Sequence, residues 1–94
     1  MAKYLARVEI SDADSEQYDE LHDCMENYGF SRVIVGDDGI EYALPTGLYV
    51  AEKTADISDV LVKIRSIADP LSSDEASVFV CIYGEFAAFL SPEE

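Results

Sequence analysis

The sequence predicts an α+β fold with the element order β-α-β-β-α-β. Three observations carry the prediction. Apolar and polar residues alternate near the N-terminus, two stretches repeat apolar residues every three or four positions, and two β-rich runs flank a glycine-bounded turn. At 94 residues the chain has length for one core and not for two, so residues 1–94 read as a single domain.

From Lys3 to Ile10 the residues Tyr4, Ala6, Val8 and Ile10 share one face, with Arg7 and Glu9 on the other, the period-two pattern of a strand covered on one side. The next stretch, Asp12 to Phe30, predicts a helix from about Ser15 to about Tyr28. Tyr18, Leu21, His22, Met25 and Tyr28 form its apolar stripe. Asp14 is placed to accept a backbone N–H of the first turn, and Gln17 completes a capping box. Gly29 can adopt the left-handed conformation that ends a helix, turning Phe30 back towards Met25.

The pattern then returns to β, with Arg32–Val35, the turn Gly36-Asp37-Asp38-Gly39, and Ile40–Leu44 as a hairpin. Pro45 and Gly47 predict a bulge or kink before Leu48–Ala51 resumes the same strand. Ile57, Val60, Leu61, Ile64, Ile67 and Ala68 mark a second helix, capped by Thr54 or Asp56. It is expected to end near Ala68 because Pro70 disfavours helical geometry at Asp69. Ala76–Tyr83 is a continuous apolar, β-branched run that predicts the last strand, and Gly84 breaks it. Residues 85–90 fit a strand continuation or a helical turn equally, and Pro92-Glu93-Glu94 reads as a frayed tail.

This order is the split βαβ, or ferredoxin-like, arrangement, which predicts a four-stranded antiparallel sheet with both helices on one face. The uncovered face, or an edge strand, is then the natural place for a homodimer contact.

Charge narrows the function classes. Twenty acidic residues against six basic ones give a formal net charge of −14. A chain so charged repels polyanions, so direct nucleic-acid binding is disfavoured and a basic protein or nucleoprotein surface is the expected partner. No apolar run reaches the roughly 20 residues of a membrane helix, and the alternating N-terminus does not read as a secretory signal, so a cytoplasmic protein is expected. Cys24 and Cys81 are isolated and read as reduced, small core hydrophobes. Neither a metal nor a cofactor is expected. Asp12, Asp14 and Glu16 open like a calcium loop, but Gln17 stands where Gly is required and Asp23 where a bidentate Glu belongs. His22, on the apolar side of its helix, reads as a packing residue.

From Glu9 to Glu26 there are eight acids and no Lys or Arg. Such a run can serve solubility alone. Its geometry also suits recognition, because carboxylates on successive helical turns lie about 5.4 Å apart along the axis, comparable to phosphates along a strand. The residues expected to bind a partner are Asp12, Glu16, Asp19, Glu20, Asp23 and Glu26. An enzymatic alternative has only Asp12, Arg7 and Arg32 to draw on, with Lys3, Arg7 and Arg32 placed to converge at one end of the sheet.

Two stretches, YDELHDCMENYGFSRVI and DGIEYALPTGLYV, resemble a family of small proteins of phages and prophages, itself related to the GhoS-type antitoxins. The resemblance covers roughly residues 4 to 50. It implies a ferredoxin-like fold and, through the antitoxins, endoribonuclease activity. A phage setting implies in addition an inhibitor of host defence, of the anti-CRISPR kind, acting as a nucleic-acid mimic. A dimeric structural or regulatory phage module is the third expectation.

Overall fold

The computed structural model describes residues 1–92. Its elements are β1 (Ala2–Glu9), α1 (Ser15–Asn27), β2 (Val33–Val35), β3 (Glu41–Ala43), β4 (Leu48–Lys53), α2 (Ile57–Ala68), a 3₁₀ turn (Asp69–Leu71) and β5 (Ser77–Ile82). The α+β class is as expected, with two helices and antiparallel pairing throughout.

The sheet differs from expectation. It has three strands in the order β4-β1-β5, and β2 pairs with β3 in a separate two-stranded ribbon. A fourth strand begins beside β4 and stops at once. Ser31 and Val50 exchange backbone hydrogen bonds of 2.8 and 2.9 Å. The ladder ends there, and a cleft of about 240 Å³ opens between Val33–Val35 and Val50–Glu52. The two edges of β2 face different partners. Arg32, Ile34 and Gly36 direct their backbone groups to β3, where the Leu44 N–H binds the Arg32 carbonyl at 2.8 Å and the Gly36 N–H the Ile40 carbonyl at 3.0 Å. On the edge towards β4 the Ser31 hydroxyl takes the Val33 N–H at 3.0 Å, so the ladder begun at Val50 is not continued.

The second correction follows from the first. Pro45 and Gly47 do not bulge one strand; they connect two strands that belong to different sheets. A turn closed by the Leu48 N–H on the Pro45 carbonyl at 3.0 Å redirects the chain, and Gly47 takes φ +90°. A Cβ at Gly47 would stand 3.0 Å from the Val8 carbonyl oxygen, so glycine is required both by backbone conformation and by the close approach of β1.

The helix ends agree with the residues that predicted them. The Asp14 carboxylate accepts the Gln17 N–H at 2.9 Å, and the Gln17 side chain accepts the Asp14 N–H at 3.0 Å. At the other end the Phe30 N–H reaches the Met25 carbonyl and the Gly29 N–H the Glu26 carbonyl, both at 2.8 Å, a complete Schellman motif. In α2 the N-cap is Asp56, with no side-chain bond, and the α-helix stops at Ala68. Asp69 nevertheless keeps helical angles (φ −56°, ψ −42°), because the chain tightens into the 3₁₀ turn, where Pro70 occupies an early position that needs no N–H.

The core lies between one face of the sheet and both helices. Tyr4, Ala6 and Val8 from β1, with Ile10 just after it, meet Leu21 and Met25 of α1, Val60, Ile64 and Ala68 of α2, Tyr49 and Ala51 of β4, and Phe30. The Tyr4 hydroxyl, carried into this core, donates to the Ala55 carbonyl at 2.6 Å. The opposite face carries Leu5, Leu48 and Tyr83. Residues 84–91, which form neither strand nor helix, run across it, so Phe86, Ala88 and Leu90 line an apolar cavity of about 260 Å³ with those side chains. The segment ends at the ribbon, where the Ala43 N–H donates to the Ser91 carbonyl at 3.0 Å and Pro92 bridges Tyr42. Of the expected frayed tail, Pro92 is therefore paired, while Glu93 and Glu94 lie outside the described residues. Among the described residues no helix is long and apolar enough to cross a membrane.

Candidate functional site

Helical geometry gathers the acids of α1 into one surface. At about 100° per residue, Glu16, Asp19, Glu20, Asp23 and Glu26 fall within an arc of about 120° centred opposite Leu21 and Met25. All five are exposed, while Leu21 and Met25 are fully buried. Burial of the apolar stripe therefore fixes which way the carboxylates point. None of them forms an ion pair among the described residues, where the two salt bridges are Arg7–Glu9 at 2.7 Å and Arg65–Asp69 at 3.7 Å.

Asp12, the sixth expected binding residue, belongs to the preceding turn. Its φ is +52°, and its carboxylate accepts the Ser73 hydroxyl at 2.9 Å, tying the β1–α1 turn to the loop that follows α2. Asp14 is spent on the cap. The open acidic face is thus narrower than the run in the sequence.

The residues of the enzymatic alternative occupy separate places. Arg7 pairs with Glu9 and borders a shallow depression with Ser77, Val78 and Phe79. Asp12 is held by Ser73. Arg32 follows α1 and lines a cleft of about 240 Å³ with His22, Glu26, Ser31 and Thr46. Lys3 lines the cleft between β4 and the ribbon, away from both arginines.

The Arg32 cleft contains a pairing that spacing in the chain does not reveal. His22 Nδ1 lies 2.7 Å from the hydroxyl of Tyr49, a fully buried side chain. Burial holds the His22 imidazole below its ordinary pKa. The Arg32 guanidinium pushes the same way, against the carboxylates of Asp19, Glu26 and Asp23. Burial also pushes the Tyr49 phenol up to about 12. A neutral imidazole bonded to a neutral phenol is the favoured state, and it anchors α1 to β4. His22 is accordingly a packing residue with one specific polar partner. Cys24 and Cys81 are free thiols, each half-buried.

Lys53 is a further firmly placed cation. Its ammonium binds the Tyr28 carbonyl at the C-terminal end of α1 and sits 3.9 Å from the centroid of the Tyr28 ring. There it complements the negative end of the helix, away from the acidic arc.

No protein-family model and no curated protein matches the chain.

Proposed function

We propose that the protein is a non-enzymatic binding module whose acidic α1 face occupies a basic, nucleic-acid-binding surface of a protein partner. The observation that carries this reading is the set of five exposed carboxylates on one arc of a doubly capped helix, none of them paired with a cation among the described residues. Fixed carboxylates at phosphate-like spacing steer association with a Lys/Arg groove and displace the same counterions that a nucleic acid would. The phage setting implied by the sequence resemblance makes a nucleoprotein of host defence the fitting partner class. In this reading the fold is a ferredoxin-like variant whose fourth sheet position has shrunk to the Ser31–Val50 bridge.

The test is capture from host lysate followed by competition. The wild-type protein should displace a labelled oligonucleotide from the captured partner, and displacement should weaken as salt rises. The triple variant Glu16→Lys, Glu20→Lys, Asp23→Lys should keep its circular dichroism spectrum and lose displacement by at least tenfold. Unchanged displacement by that variant would reject the acidic face as the binding surface.

A further inference from the structure

The two edges of the main sheet are not equivalent. On β4 the outward backbone groups of Val50 are taken by Ser31, and the charged Glu52 follows, a combination that discourages a further strand. Along β5 the outward groups of Val78, Val80 and Ile82 have no such partner among the described residues; only the Ala76 N–H, just before the strand, is taken, by the Asp69 carboxylate at 3.0 Å. The Tyr83 N–H donates to the Lys3 carbonyl at 2.9 Å, and the register pairs Leu5 with Cys81, Arg7 with Phe79 and Glu9 with Ser77. In an antiparallel ladder hydrogen-bonded pairs recur at every second residue. Tyr83, Cys81, Phe79 and Ser77 therefore direct their N–H and C=O groups to β1, and Val78, Val80 and Ile82 direct theirs outward.

This edge also carries no charged side chain. Residues 76–84 contain no ionisable acid or base other than the Cys81 thiol and the Tyr83 phenol, in a molecule with 20 acids. There is no proline or bulge, and Phe79 and Ile82 are 64% and 57% exposed. An uncharged edge with unpaired backbone groups is a template for one more strand.

We infer that a second copy of the chain supplies that strand, through antiparallel β5–β5 pairing about a twofold axis at Val80. The outward residues are symmetric about that position. Val80 faces Val80 of the second copy, Val78 faces Ile82, and every outward N–H and C=O of the three residues finds a partner in this single register. The two sheets merge into one continuous six-stranded sheet. On the face away from the helices, Phe79 of each copy lies directly opposite Cys81 of the other, in a non-hydrogen-bonded pair with Cα atoms about 4.5 Å apart. The register also brings Glu75 of one copy to the end where Glu85 of the other lies, so like charges oppose association at low salt.

The salt dependence separates this contact from the acidic-face reading. Two chains of charge −14 repel, and at 1 M salt the screening length falls to about 3 Å. Self-association should therefore strengthen with salt, where binding to a basic partner weakens.

Sedimentation velocity across micromolar to submillimolar protein, at 0.1 and 1 M NaCl, reads the association directly. The wild-type chain should shift to twice its monomer mass, at lower concentration in high salt. Val80→Pro deletes an outward N–H and leaves the β1 ladder its bonds, so it should remain monomeric with an unchanged circular dichroism spectrum. As an independent check, Phe79→Cys in a Cys24→Ser background should oxidise to a covalent dimer, with the introduced thiol joined to Cys81 of the other copy. Adding Cys81→Ser should abolish it. A wild-type chain monomeric at every concentration and salt, a dimer indifferent to Val80→Pro, or a failed Phe79–Cys81 crosslink in a dimer that does form, would each overturn the proposal.

Discussion

The His22–Tyr49 pair makes a prediction whose sign reverses with pH. Tyr49→Phe removes only the hydroxyl of a fully buried side chain, along with its 2.7 Å bond to His22 Nδ1. Near neutrality that loss costs about 1 kcal/mol, because His22 is half-buried and can turn to water. At high pH the phenol becomes a liability. Its pKa is raised from 10.0 to about 12 by burial, so the unfolded chain releases this proton before the folded one does. The stability linked to the protonated phenol is complete below pH 10, and it is lost as pH rises towards and through about 12. By pH 11.5 the loss amounts to about 1.9 kcal/mol, from 1.36 kcal/mol per pKa unit. The Phe variant has no such proton to lose, so the two stabilities should cross near pH 11 and the variant should be the more stable beyond it. Urea unfolding followed by circular dichroism at pH 7, 9, 10, 11 and 11.5 gives the difference, and the other tyrosines cancel in the comparison. A variant that stays about 1 kcal/mol less stable at pH 11.5 would refute the argument, since it would mean that Tyr49 ionises as easily folded as unfolded.

Asp14→Ala should lower stability by about 1 kcal/mol, read as a drop in thermal midpoint, because it strips the capping box from α1 at its only side-chain cap. Gly47→Ala should cost more than about 1 kcal/mol in chemical denaturation, since φ +90° and the Val8 carbonyl at 3.0 Å both exclude a Cβ; an alanine variant of unchanged stability would show that the turn relaxes freely. Lowering the pH through and below 6.5 should also destabilise the fold, because His22 binds its proton more weakly folded than unfolded, and His22→Gln should flatten that part of the pH–stability curve.

What the sequence determined by itself are the features set by neighbours along the chain. The capping box at Asp14 and Gln17, the Gly29 terminus with Phe30 folded back on Met25, the buried stripe of α1 and hence the outward direction of its carboxylates are all local, within five residues of one another. So are the alternation of β1 and the apolar run of β5. What only the tertiary structure decided are choices among distant partners. Whether Val33–Val35 would extend the sheet as well as pair with Glu41–Ala43 depended on the edge facing β4, and there the Val33 N–H turns to the Ser31 hydroxyl rather than to the strand beyond Val50. The assignment of β3 and β4 to different sheets followed from that. Tyr49 reaching His22 across 27 positions, Asp12 bound to Ser73, and residues 84–91 laid over the apolar face are likewise absent from any periodicity. Periodicity states which side of an element is apolar; which other element covers that side is settled only when all the buried surface and all the backbone hydrogen bonds are satisfied together.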